Sequence, residues 1–191
     1  MNIKHRARLA LVSTVAAGAG LAGVLGVAGT ASASTGQPNG FVVVTSCTSV
    51  QGKITYTPGL RTSVLKPVTA VLTGTISGCS NLFSGTIAGS GQFTAVLSGT
   101  ADKNAENFGG TFTINWPAGS GFNPSNGNLT VTEANGLENV SGTVTSGFDT
   151  GTALAWQYVI TGHTGRTGTK KGITAQTYTN TQSLNLSRNE G

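Results

Sequence analysis

From residue 40 to near the C-terminus, apolar and hydroxyl-bearing side chains alternate with a period of two. Val68, Ala70, Leu72, Gly74 and Ile76 share one parity, and Thr69, Val71, Thr73 and Thr75 the other. Phe112, Ile114 and Trp116 oppose Thr111, Thr113 and Asn115, and Leu154, Trp156, Tyr158 and Ile160 oppose Ala155, Gln157, Val159 and Thr161. Successive side chains of an extended strand point to opposite faces, so this pattern describes strands with one dry face and one wet face. Thr suits the wet face, because it is β-branched and its hydroxyl tolerates water. The 30 Thr and 29 Gly argue against a helical chain. No helix is expected after residue 40.

Strands are expected near 40–47, 51–57, 67–78, 83–89, 92–101, 108–116, 127–134, 137–147, 152–162 and 173–186. Breaks are expected at Pro58-Gly59, at Gly78 to Asn81, at Gly89-Ser90-Gly91, at Ala118 to Gly121 and at Gly147. Asn135-Gly136, between two alternating runs, signals a type I′ hairpin. A motif of the form apolar, small, Gly, Thr, apolar recurs around Gly74, Gly85, Gly99, Gly110 and Gly142, and its first four copies start 11, 14 and 11 residues apart. That is meander spacing. Gly on an inward face lets a sheet coil sharply or admits a large side chain from across the core. The expected fold is all-β: a single antiparallel β-sandwich of about nine or ten strands, with a closed up-and-down β-barrel as the alternative.

The N-terminus is read apart from this domain. Lys4, His5, Arg6 and Arg8 precede a low-charge stretch from Leu9 to Gly29, and Ala31-Ser32-Ala33 fits the small-x-small site of signal peptidase. Residues 1–33 therefore read as a secretory signal peptide and residues 34–191 as one β domain. Without the leader, eight basic and six acidic residues remain, a net charge of +2. That balance is too small for a general nucleic-acid-binding surface. Export also makes Cys47 and Cys79 a disulfide pair.

One resemblance accompanies these residues. The Ala/Gly-rich leader, Cys47, Tyr56-Thr57-Pro58-Gly59-Leu60 and Thr73-Gly74-Thr75-Ile76-Ser77-Gly78-Cys79 resemble small exported β-rich proteins of actinobacteria, mainly over residues 1–90. The resemblance implies a bacterial secreted protein with a β fold, and it implies no activity.

The chain is poor in catalytic residues. It has no Gly-x-Ser-x-Gly elbow, and His163, the one His after the leader, would have to work with Asp149 from a Gly-rich loop. The carboxylates suit glycoside hydrolysis no better: Asp102 and Glu106 read as part of a polar link, and Glu133 and Glu138 as solvated charges facing each other across the Asn135-Gly136 hairpin. No metal site and no cofactor is expected. Arg166, Lys170 and Lys171, with His163, read as a flexible basic loop able to touch a polyanion. Trp116 and Phe122 border a long loop where aromatic faces could stack on sugars, although Trp116 continues the inward face of its strand.

The expected function is that of a secreted, extracellular, non-enzymatic protein binding a cell-wall polymer or glycan. It has no specific nucleic-acid partner and no membrane partner once the leader is removed; its oligomeric state is left open. The alternative is a barrel carrying a small apolar ligand among Phe93, Leu97, Leu154, Trp156 and Tyr158. A hydrolase built on His163 is the third reading.

Overall fold

Alternating β-branched and small residues give long extended segments, and their turns fall where Gly and Pro allow a reversal. The computed structural model describes residues 40–61, 65–102, 105–134, 136–166 and 169–189. The expected signal peptide, residues 1–33, lies outside the described residues. The strands are β1 (Phe41–Leu60), β2 (Lys66–Asn81), β3 (Gly85–Ala101), β4 (Glu106–Asn115), β5 (Ser125–Ala134), β6 (Leu137–Ser146), β7 (Ala153–Arg166) and β8 (Gly172–Asn189). Each pairs antiparallel with the next, and β8 returns to pair with β1. The result is a closed up-and-down barrel.

The favoured sandwich is thus corrected to the barrel. Both folds show the same alternation along each strand. The difference lies in the pairing of β1 with β8, which joins Phe41↔Asn189 at one extreme and Leu60↔Ile173 at the other. The count of nine or ten strands is corrected to eight for a related reason. Segments 40–47 and 51–57 are one strand, β1, and 83–89 and 92–101 are one strand, β3. Gly91 does not end β3: it stays paired with Ile76, whose side chain a Cβ at Gly91 would touch. The expected break is a site of close packing.

The β1–β8 seam is irregular, with register shifts between Val43 and Thr45, Cys47 and Gln51, and Thr55 and Leu60. Asn180 mends the middle shift. Its Oδ1 accepts from the Val50 N–H at 2.9 Å, and its Nδ2 donates to the carbonyls of Thr48 and Gln182 at 3.0 Å each. A side-chain amide here replaces ladder bonds that the bulge removes.

Inside, rings from opposite walls meet. Phe93 of β3 and Trp156 of β7 stand edge to face with centroids 5.1 Å apart, and Phe93 also stacks on Phe112 at 5.9 Å. β3 and β7 lie half a circuit apart, so their contact fills the barrel at mid-height. The recurrent inward glycines let the walls come close. A Cβ at Gly110 would lie 2.0 Å from the Val96 carbonyl oxygen, and one at Gly74 would lie 2.4 Å from the Tyr178 hydroxyl. Most outward positions are Thr, Ser, Asn, Gln or Lys, with the paired Val71 and Val96 as exposed apolar exceptions, whereas a membrane-spanning barrel carries a continuous apolar outer band. No helix among the described residues is long and apolar enough to cross a membrane.

Cys47 of β1 and Cys79 of β2 are directly cross-strand partners, joined by a disulfide with their Cα atoms 3.9 Å apart. Both are buried. A buried disulfide fits an extracellular protein, since cytosolic reductants keep thiols free.

Two predictions follow from this packing. Gly110→Ala drives a methyl into backbone, and is expected to destabilise by about 2 kcal/mol or more. The outward Thr111→Ala is expected to cost less than about 1 kcal/mol. Urea denaturation of the two variants checks the contrast. Reducing the disulfide, or replacing both cysteines by Ser, is expected to lower stability by roughly 3 kcal/mol while keeping the β-sheet circular dichroism signal.

Candidate functional site

The two ends of the barrel differ in chemistry. One end is formed by the C-terminal ends of β1, β3, β5 and β7 and the starts of β2, β4, β6 and β8. Here inward positions that are apolar at mid-barrel become polar. Parity along each strand explains which residues they are. Tyr56 follows Ile54 inward on β1, Glu106 precedes Phe108 on β4, Glu138 precedes Val140 on β6, and Tyr158 follows Trp156 on β7. Glu106 is 8% exposed and Glu138 6%.

A polar strut crosses this end. The Tyr56 hydroxyl lies 2.6 Å from Glu106 Oε1 and 2.6 Å from Gln176 Oε1. The hydroxyl has one proton, so it donates to one of these oxygens and must accept from the other group. A protonated Glu106 supplies that donor, as does a Gln176 amide turned to present its nitrogen. Glu138 stands beside Tyr158 in register, with Glu133 on its other side. Glu138 Oε2 and the Tyr158 hydroxyl are buried without a hydrogen-bond partner, as is Trp156 Nε1 one step further in.

Burial raises the Glu106 carboxyl to about 7; the Tyr56 hydrogen bond pulls it back and the Glu133 charge adds to the rise. Burial likewise raises Glu138 to about 8, followed by the charges of Glu106 and Glu133. Tyr56 and Tyr158 are raised well above the ordinary tyrosine range, mainly by burial and then by Glu106. No basic side chain among the described residues offsets either carboxyl. Such groups can hold a cation, accept hydrogen bonds or exchange a proton near neutral pH.

These are the residues that sequence reasoning missed. Glu133 and Glu138 do face each other across the hairpin, as expected, but Glu138 is not solvated. Glu106 is not part of a polar link; it opens β4. The signal was present in the period-two parity, which gives both glutamates the parity of buried neighbours.

The basic residues gather on the rim of this same end. His163 is in β7, paired with Gln176, so the expected loop around it is corrected to a strand that runs on to Arg166. The reason is that Thr164, Gly165 and Arg166 keep pairing with β8 despite their Gly content. Arg166, Lys170 and Lys171 are exposed at the β7–β8 turn. The Arg61 guanidinium, from the β1–β2 connection, donates to the Lys170 carbonyl. Lys66, exposed at the start of β2, joins Arg61 in lining a cleft of about 240 Å³ with Pro58, Leu60, Val68 and Ala101.

The opposite end is capped by aromatic rings. Phe122 stacks on Phe148 at 3.8 Å, and Trp116 meets both edge to face. Trp116 is buried, and its Nε1 donates to Ser125 Oγ at 2.9 Å, which donates to the Phe148 carbonyl at 2.5 Å. Phe122 is half-buried. Asp149 also belongs to this end, accepting from Thr45 Oγ1 and from Asn81 Nδ2. His163 lies ten positions beyond the start of β7, about 30 Å away along the strand. The structure does not bring His163 and Asp149 together.

Among the described residues, no group of three His, Cys, Asp or Glu side chains is placed to hold a metal ion. Comparison with protein-family models, curated proteins and solved structures finds no match to this chain.

The buried glutamates set a pH dependence. Their folded pKa values exceed the usual carboxylate value, so the folded state binds more protons than the unfolded chain. The stabilisation is complete below about pH 4.5 and is lost as pH rises through 7 to 8. The melting temperature is expected to fall by several degrees between pH 5 and pH 9. Glu138→Gln should flatten that fall and raise the melting temperature at pH 9; a lowered value there would contradict the assignment.

Proposed function

We propose that this is a secreted, non-enzymatic protein that binds an extracellular polyanion, such as a phosphate-bearing cell-wall polymer, through the cationic rim at one barrel end. The observation that carries the reading is the contact of Arg61 with the Lys170 carbonyl. It brings two basic segments, 109 positions apart in sequence, onto one rim. Arg61, Lys66, Arg166, Lys170 and Lys171 then present five exposed cationic side chains there. A cluster of like charge on one face favours a polyanion over an uncharged glycan. The buried disulfide and the leader-like residues 1–33 support export. The sugar-stacking mode has less support, because Trp116 is buried and Phe122 already stacks on Phe148.

The test is retention of the purified protein on teichoic-acid-bearing cell walls and on walls stripped of that polymer. Retention on the first alone at low salt, lost by about 1 M salt, is expected of exposed charge contacts. The triple variant Arg166→Glu, Lys170→Glu, Lys171→Glu is expected to abolish retention with an unchanged melting temperature. Lys53→Glu, on the barrel wall away from the rim, should leave it intact. Retention that persists in the triple variant overturns the reading.

A further inference from the structure

We propose that the barrel mouth between Glu106 and Glu138 is a binding site for a small primary ammonium ion, walled by tyrosine rings. Three observations meet there. The first is a pair of neighbouring orphan groups. Glu138 on β6 and Tyr158 on β7 are register partners, 6% and 0% exposed, and Glu138 Oε2 and the Tyr158 hydroxyl are both unpartnered. Buried polar atoms of native proteins almost always have partners, and each one left without costs free energy. An ammonium head group carries several N–H donors, enough for both oxygens at once.

The second observation is uncompensated charge. Glu133 raises the carboxyls of both Glu106 and Glu138, Glu106 also raises that of Glu138, and among the described residues no basic group offsets Glu106 or Glu138. A cation is therefore the complementary ligand. The donor set does not suit a metal ion. The third observation is the aromatic wall. Tyr158 and Tyr178 have ring centroids 4.8 Å apart, and Tyr56 and Phe108 are 6.3 Å apart. Ring faces attract organic cations. The Phe93–Trp156 contact closes the barrel below, so the alkyl chain must be short or point outward. The cationic rim is formed by the β1–β2 and β7–β8 connections with the adjoining ends of β2 and β7, whereas the carboxyls come from β4, β5 and β6.

Binding is proton-linked, because a protonated carboxyl holds a cation poorly. The titratable groups facing the site are Tyr56 on β1, Glu106 on β4, Glu133 on β5, Glu138 on β6 and Tyr158 on β7; Tyr178 on β8 lends its ring, while its hydroxyl donates to the Thr73 carbonyl beside Gly74. At this level β2 and β3 contribute Val68, Ala70, Leu97 and Ala101 to the interior, and Lys66 and Arg61 are the charged groups lining the cleft beside Val68 and Ala101. The affinity should rise with pH as Glu106 and Glu138 ionise.

Calorimetric titration of the purified protein with methylammonium and butylammonium chloride at pH 8.5 and pH 5.5 tests this, with tetramethylammonium as the probe lacking N–H donors. The expected result is binding of at least one primary ammonium ion at pH 8.5, weakened at least tenfold at pH 5.5. Glu138→Gln and Tyr158→Phe should each weaken it at least tenfold at pH 8.5, and tetramethylammonium should not bind. Glu138→Gln removes a buried charge, so its fold should persist at pH 8.5, as near-ultraviolet circular dichroism checks. Three outcomes would overturn the proposal: no binding at pH 8.5, equal binding by Glu138→Gln, or equal binding of tetramethylammonium. None of them bears on polyanion retention, which rests on the exposed rim.

Discussion

The antiparallel ladder between β1 and β8 closes the sheet, and the interior exists only because it does. It joins residues more than a hundred positions apart and turns a meander into a cylinder. Closure removes the two edges that an open sheet would expose. It also creates an interior, and only an interior can bury Glu106 and Glu138. The ladder is costly to form, because long-range pairing gives up chain entropy before contacts reward it. The β1–β2 disulfide ties the strand that closes the seam to its other neighbour. Asn180 supplies backbone partners where the seam slips in register.

The interior is a sequence of layers. Phe93, Phe112 and Trp156 fill the middle, and inward glycines such as Gly110 and Gly74 let walls and large rings approach. One end is finished by Phe122, Phe148 and Trp116 and a short hydrogen-bond chain through Ser125. The other end stops being apolar one residue pair too early. Its carboxyls and tyrosines are satisfied in part, through the Tyr56 strut, and in part left open. Such unsatisfied groups weaken a folded state, and among the described residues they gather toward this end.

Much of this was legible one strand at a time. Period two placed the strands, the outward Thr coat and the inward glycines, and it gave Glu106 and Glu138 the parity of buried residues. It was misread for those glutamates because charged residues beside a turn usually reach solvent, and whether they do depends on how the hairpin leans over its neighbours. Trp116 was legible as a continuation of an inward face. Arg61 was not legible as a member of the basic rim, because nothing local ties it to Lys170. His163 read as loop because Gly162 and Gly165 flank it, yet cross-strand pairing holds that segment extended.

The all-β class, the strand faces and the cysteine pairing could be read from the chain alone. The physical reason is that side-chain alternation is a local property of an extended chain, and two cysteines allow one bridge. The tertiary structure decided that the sheet closes on itself. It also decided which strands fuse across Ser49 and Gly91, which carboxyls lose water, and which cations share a rim. Each of these turns on register and coiling accumulated over eight strands, and no single strand carries that information.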